Sequence, residues 1–504
     1  MKQTAIRIHE KDNVAIAVER IPAGLEAFSG LRALQDIPQG HKIALAGIKK
    51  GCPVVRYGVD LGSALMDIPA GGWVNEDSIL LPVPPELDEM RWGVNIVTNL
   101  PGAPRTAFEG FVNPFGGPAG TRNLLGISTT VQCVTGVLNI AVQRIRQELL
   151  PRYPYVDSVV PINHAYGCGV AINAPDAVIP IRTLRNLVRH PNFGGEVMMV
   201  GLGCEKLTLD MLLDAEDNTP ENVLMLQDIK GFDAMIAAIL EMAERKLKRL
   251  NERRRTTLPL SDLLIGMQCG GSDAFSGVTA NPAAGYAADM IVMAGGTVLF
   301  SEATEVRDGA YLIAERCVDE ATCKKLAREM RWYDEYLLRG GADRSANPTP
   351  GNKLGGLSNI VEKAMGSIAK SGTAPIAEVL SPAEKPTKKG MIYANTSASD
   401  FVCGTSQLAS GITLQVFMTG RGTPYGLAPV PVIKVCSRNA MKEQWGDLID
   451  FNAGPVADGE MTVQEAGTRL FHQILDAASG AWKPAAERYG IHNDLCLFNP
   501  APVT

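Results

Sequence analysis

The stretch "LLIGMQCGGSDAFSGVTANPAAG", residues 263–285, decides the fold. It opens as an apolar run of strand length, then breaks at Gly270 and Gly271 into a loop carrying Ser272, Asp273, Ser276, Thr279 and Asn281. A buried strand that ends in a glycine-rich polar loop is how parallel α/β sheets present ligand sites at their carboxyl ends. Glycines remove side-chain bulk and admit positive φ, so amides and short polar groups can turn toward a bound molecule. An ordinary surface turn accounts for Ser, Asp and Asn. It leaves Cys269, at the very end of the strand, unexplained.

The same pattern recurs outward in both directions. The apolar runs "LLGIST" (124–129), "SVVPIN" (158–163), "EVMMVGLG" (196–203) and "GTVLFSEAT" (296–304) each end in glycine or short polar residues. Between them lie "TGVLNIAVQRIRQELL" (135–150) and "FDAMIAAILEMAERKLKRL" (232–250), where Phe232, Met235, Ile236, Ile239, Ala243, Leu247 and Leu250 keep helical spacing. Alternating strand and helix predicts two α/β domains with largely parallel sheets, 116–255 and 256–504, divided near "ERRRTTLPLS" (252–261). Residues 1–97 read instead as short strands punctuated by "PAG", "PQGH" and "KKG", a small mostly-β domain. The Pro- and Gly-rich segment 98–115 reads as a linker, and no internal repeat is evident.

Composition narrows the function classes. A chain of 504 residues with 46% hydrophobic and 20% charged residues has room for about three ordinary cores. A net charge of -6 argues against nucleic acid as a partner. The basic run Glu244–Arg255 reads as the solvated end of a helix. No apolar run is of membrane-spanning length and "MKQTAIRIHEKD" lacks a signal-peptide core, so no membrane partner and a cytoplasmic location are expected. Ten cysteines without framework spacing are expected to be reduced.

Chemistry-bearing residues cluster at the strand ends. Cys133, Cys168, Cys204 and Cys269 all fall there and are candidate thiol ligands of a metal or an iron-sulfur cluster, against the plainer reading of small buried residues. His9, His41 and Asp12 in the β domain offer the mixed nitrogen and oxygen set that suits ferrous iron or manganese. His164 ends a buried strand, where a catalytic base is well placed, whereas His190, His472 and His492 read as structural. Glu302 and Glu305 follow a strand three residues apart and share a face if that turn is helical, a candidate catalytic pair in which one binds metal and the other orients a substrate hydroxyl, against the plainer reading of two solvated acids. Lys206, Arg122 with Asn123, and Arg421 stand among glycines and are suited to clamp a carboxylate. No phosphate-binding GxxxxGK[ST], no GxGxxG after a strand and no GxSxG elbow occurs, which disfavours nucleotide use and serine hydrolysis.

Taken in order, "HEKDNVAIAV", "GHKIAL", "GTRNLLGI", "NHAYGCGVAINAP", "HPNFGGEVMMVGLGCEKL", "GMQCGGSDAFSGVTANPA", "FSEATEVRD", "DRSANPTPGNKLGGLSNIVEKAMGSIAKSG", "SASDFVCGT", "TGRGTPYG" and "FNPAPVT" resemble the sugar-acid dehydratases of the altronate and galactarate dehydratase family over nearly the full length. The resemblance implies that the N-terminal module is SAF-like and that the chain is a hydro-lyase dependent on a divalent metal, ferrous iron first; manganese at the His and Asp set, and an iron-sulfur cluster on the thiols, stay as the alternatives that the residues themselves offer. It implies loss of water from a sugar diacid, galactarate to 5-dehydro-4-deoxy-D-glucarate, with altronate or another aldonate as the alternative substrate. On that reading His9, His41 and Asp12 bind metal, His164 is the base, and Lys206 faces the second carboxylate. Arg122, Asn123, Arg421 and the polar residues of 272–281 then hold the substrate, in a homodimer whose small domain folds over its own or the partner's body. The non-enzymatic rival is a carbohydrate-binding or sensor protein, which would not need so large a loop-decorated α/β body.

Overall fold

A computed structural model describes residues 4–504. The N-terminal module is all antiparallel: a sheet ordered Ala5–Ile6, Val14–Ala17, Lys42–Ala44, Trp73–Val74, and a second of Pro53–Arg56, Val59–Ala64 and Ile79–Leu80. Here the structure corrects the sequence reading, because a repeat does exist. "IPAG" (21–24), "IPQG" (37–40), "IKKG" (48–51) and "IPAG" (68–71) each close a turn on a glycine with φ between 81° and 83°. In each turn the amide after the glycine bonds the carbonyl of the second motif residue, so glycine takes the third turn position, where positive φ is required. The four isoleucines pair as bridges, Ile21 with Ile37 and Ile48 with Ile68. A four-residue motif that recurs at uneven spacing is easy to overlook.

The first α/β region is a parallel sheet ordered Ser158–Ile162, Leu124–Thr129, Met199–Gly201, Val223–Met225. One face is covered by the helices Thr135–Arg144 and Phe232–Leu250, which bury Leu138, Ile236, Ile239, Met242 and Leu247 against Ile127 and Val200. The 3.6-residue period predicted for 232–250 is therefore the core face of that helix.

The second region is a seven-stranded parallel sheet ordered Ile376–Leu380, Gly390–Ala394, Thr297–Phe300, Leu264–Cys269, Leu414–Thr419, Val432–Cys436, Phe451–Asn452. After Leu264–Cys269 the chain builds toward one edge, then crosses back and builds toward the other from Leu414–Thr419. The crevice between these two neighbours is a topological switch point, the usual ligand position in such sheets. The loop after Cys269 and the "GRGTPYG" loop meet there, with Gly420 and Arg421 both donating their backbone N–H to the Gly271 carbonyl.

Segment 98–115 is not simply a tether. Its Ala107–Gly110 forms an antiparallel ribbon with Thr256–Pro259, so two stretches read from sequence as breaks pair with each other. The basic run is likewise not merely solvated. Arg253 bonds Asn123 Oδ1 (2.8 Å) and the Val112 carbonyl (2.7 Å), and Arg255 bonds the carbonyls of Glu109, Thr121 and Ala478. Guanidinium groups serve here as staples for backbone carbonyls between the two α/β regions. Among the described residues no helix is long and apolar enough to cross a membrane.

Candidate active site

The helix Ile360–Ile368 is buried along its whole length although it carries Glu362, Lys363 and Ser367. Burying charge is expensive unless each charge finds a partner, and each does. Glu362 faces the β module, where its carboxylate takes Lys42 Nζ at 2.9 Å and an Arg56 guanidinium hydrogen bond, while Arg56 also bonds the Ala274 carbonyl. Lys363 faces the other way, 2.8 Å from Glu305 and 2.7 Å from Asn347 Oδ1. Lys370, just past the helix, bonds Ser367 Oγ at 2.6 Å, Cys269 Sγ at 3.3 Å and the Glu302 carboxylate.

Cys269, Glu302 and Glu305 form the one group among the described residues whose Cys, His, Asp or Glu ligand atoms all fall within 4.8 Å of one another. Cys269 Sγ is 3.5 Å from Glu305 Oε2, and both carboxylates come from the turn after Thr297–Phe300, the strand beside that of Cys269. Glu302 adopts a left-handed φ of 82° while fully buried, a strained backbone of the kind that persists where surrounding structure enforces it. Asp400 closes the arrangement: its carboxylate lies over Gly270 so closely that a β-carbon there would sit 2.4 Å from Asp400 Oδ2.

Burial and neighbouring charge set the protonation of these groups. Burial pushes Glu302 up to about 8, against the opposing charge of Lys370 and with the help of Glu305. Burial pushes the Cys269 thiol up to about 12. For Glu305 burial also raises, but Lys363 and Lys370 together prevail and hold it below the usual carboxylate range. Burial draws Lys370 down, and the three acidic neighbours more than reverse that, so it stays an ammonium. Asp400, raised by burial and then by Glu305, stands at about 6. Two nearby carboxyls thus straddle neutral pH.

The polar residues of 272–281 divide into two kinds. Asp273 accepts from Phe275 N, Ser276 N, Ser276 Oγ, Ser437 Oγ and Arg438, and Thr279 Oγ1 donates to the Ser437 carbonyl, so Asp273, Ser276 and Thr279 are committed to the shape of the loop. Ser272 Oγ, Asn281 Oδ1 and Glu302 Oε1, by contrast, are buried without a hydrogen-bond partner among the described residues. Unsatisfied buried polar atoms in a native fold call for a ligand or water. Tyr57 of the β module covers the loop, and the space enclosed among Tyr57, Ser272, Asn281 and Lys363 is about 10 Å³. That holds about one water.

Other residues singled out from sequence lie elsewhere. His164 sits on the four-stranded sheet with Nε2 against the Thr129 carbonyl (2.9 Å) and Nδ1 accepting from Tyr166 N, a structural histidine rather than a neighbour of the carboxylates. Lys206 reaches the Val170 carbonyl and Thr504 Oγ1, tying down the C-terminus. Arg122 forks onto Glu487 and the Thr121 and Ala477 carbonyls, and Asn123 bonds the Tyr155 and Leu250 carbonyls; both stand before the Leu124–Thr129 strand, away from its carboxyl end. Arg421 is exposed beside Gly271 and Gly351, at the edge of the site. His9, Asp12 and His41 do not form one ligand group: Asp12 caps the His9 and Gly58 amides, and His41 Nδ1 accepts from Trp73 Nε1. Nor do the four thiols converge, since Cys269 belongs to the other sheet. Sequence reasoning missed Lys363, Lys370 and Asp400. The signal available was charge at Glu362, Lys363 and Lys370 within a helical run otherwise made of apolar and small residues.

Comparison with known proteins agrees with this architecture. Residues 3–81 match the altronate/galactarate dehydratase SAF domain, 110–251 the second domain of D-galactarate dehydratase/altronate hydrolase, and 260–503 the D-galactarate/altronate dehydratase C-terminal domain. The chain is 54% identical to galactarate dehydratase (L-threo-forming) of Escherichia coli K12, over 99% of this chain and 97% of that protein. It is 33% identical to the altronate dehydratases of Bacillus subtilis 168 (94% of this chain, 95% of that one) and of Escherichia coli K12 (98% of each). A SAF module clamped through Lys42, Arg56 and Glu362 onto a parallel sheet whose switch point gathers buried acids and lysines therefore has its place among known proteins: the chain belongs to the altronate/galactarate dehydratase family.

Proposed function

We propose that this chain is a galactarate dehydratase, removing water from D-galactarate to give 5-dehydro-4-deoxy-D-glucarate. The observation that carries the reading is the buried convergence of Asp400, Lys363 and Lys370 on Cys269, Glu302 and Glu305 at the switch point. The higher identity to a galactarate enzyme than to altronate enzymes favours the diacid.

Taking a proton from the carbon beside a carboxylate places negative charge on that carboxylate, and fixed cations in a dry site stabilise it. Lys363 lines the same space as the unpaired Ser272 and Asn281 groups, which accept and donate to the substrate hydroxyls. Asp400, ionised at neutral pH, takes the proton. Lys370, which stays an ammonium, gives a proton to the departing hydroxyl so that it leaves as water. Arg421 at the rim has the fork to take the distal carboxylate, a role the sequence reading gave to Lys206.

A divalent cation fits the trio: one thiol and two carboxylates within 4.8 Å, with Glu302 Oε1 unpaired, form a mixed set acceptable to ferrous iron or manganese. Bound there, it would serve as a Lewis acid for the substrate carboxylate. The test is formation of 2-keto acid from a panel of aldarates and aldonates, with ferrous iron supplied under anaerobic conditions. Turnover of galactarate well above altronate supports the reading, and turnover of altronate alone would replace it.

A further inference from the structure

Half of the ten cysteines are buried, as is usual for the residue; Cys52, Cys133, Cys168, Cys204 and Cys496 are exposed. Three of those five stand at one place. Cys133 follows Leu124–Thr129, Cys168 follows Ser158–Ile162 and Cys204 follows Met199–Gly201, and these strands are adjacent and parallel, so all three thiols lie at the same end of the four-stranded sheet. Leu124–Thr129 is the middle strand of the three. Its connection runs to one side and that of Met199–Gly201 to the other, which makes this edge a second topological switch point, separate from the one at Cys269.

The loops touch. Gly167, next to Cys168, packs so tightly on Thr130 that a β-carbon would lie 2.1 Å from the Thr130 carbonyl, and the Gly167 carbonyl accepts from Lys206 N and Leu207 N, just beyond Cys204. Thr130 Oγ1 in turn donates to Glu205. Cys168 is flanked by glycines at φ 105° and 63°, and Cys204 is preceded by one at 129°. Successive amides in such alternating conformations form concave nests that hold phosphates and iron-sulfur clusters. Gln227 Nε2 donates to Cys204 Sγ at 3.5 Å, the type of second contact that tunes a ligating sulfur. The same loops hold polar atoms without a partner among the described residues, the buried Tyr166 hydroxyl, Asn163 Oδ1 and Thr135 Oγ1.

We propose that Cys133, Cys168 and Cys204 hold an iron-sulfur cluster at the carboxyl edge of the four-stranded sheet, with one iron left open to a ligand other than cysteine. Cysteine thiolates are the usual ligands of such a cluster. Each thiol gives up its proton on ligation. The site does not depend on the proposed function, because none of its residues belongs to the Cys269 arrangement.

The test uses the full chain, reconstituted anaerobically with ferrous iron and sulfide and then desalted. Bound iron and acid-labile sulfide in equal amounts, with the broad visible absorption of a cluster, is the expected result. C133S, C168S and C204S should each abolish most of the sulfide and colour, while C269S and C52S keep both. Compared before reconstitution, all five variants should unfold at the wild-type temperature, or within a few degrees for C269S, as a check on folding. Retention of cluster by a folded C133S/C168S/C204S triple variant would overturn the proposal, as would wild-type protein that retains no sulfide, or uptake of zinc alone through these thiols.

Discussion

Lys42 of the β module and Glu362 of the buried helix lie 2.9 Å apart with no solvent access to either side chain, and the residue after Glu362 is the Lys363 that contacts Glu305. One helix turn thus couples the docking of the module to the charge balance of the site. Arg56 completes the pair from the same module. Because Glu362 answers two buried cations, its removal leaves both unpaired.

Glu362→Gln is therefore expected to destabilise the protein by about 3–5 kcal/mol, the range for breaking a buried ion pair from one side. Thermal unfolding should show it. The double variant Lys42→Met with Glu362→Met should recover part of the loss, because it removes a charge from each side.

Gly270→Ala should lower turnover sharply and cost some stability, because the added methyl would lie 2.4 Å from Asp400 Oδ2 and 2.5 Å from the buried Phe417 ring. Steady-state kinetics check this, and the loss should fall on kcat rather than on KM. With Asp400 as base at about 6, the acid limb of the wild-type profile should fall as pH drops through that value.

Glu302 gives a stability signature of its own. Its folded pKa, raised to about 8, lies above the ordinary carboxylate value of about 4.3. A raised folded pKa means that the stabilisation is complete below the unfolded value and is lost as pH rises through the folded one. Metal-free wild type should thus lose stability between about pH 4 and pH 8 relative to Glu302→Gln, and denaturant midpoints across that range measure it.

Lys206→Met should leave galactarate turnover within a factor of about two, since Lys206 ties down the C-terminus on the other sheet. A loss of preference for diacids over monoacids in this variant would restore Lys206 to the site.

The strands and the long helix at 232–250 were legible because burial on one face or on both leaves a period in the chain. The ribbon joining 107–110 to 256–259 was not, because pairing partners about 150 residues apart leave no local trace. The site was half legible for a similar reason. Cys269, Glu302 and Glu305 follow strands whose apolar runs announce them, so their place at a sheet end could be foreseen. Lys363, Lys370 and Asp400 reach the same point from helices, and only the three-dimensional path of 360–371 and 400–409 brings them there. His164 misled because a strand-end histidine looks the same in sequence whether its nitrogens face a substrate or the backbone carbonyl and amide that hold it here.

The most direct measurement is the single-turnover rate of 2-keto acid formation from galactarate, under anaerobic conditions with ferrous iron, for wild type, Asp400→Asn and Lys370→Met. Wild type should convert the substrate, and each folded variant should be slower by about 10²–10⁴, the usual contribution of a positioned acid or base. Wild-type rates in both folded variants, or a wild-type protein that leaves every aldarate and aldonate unchanged, would contradict the account.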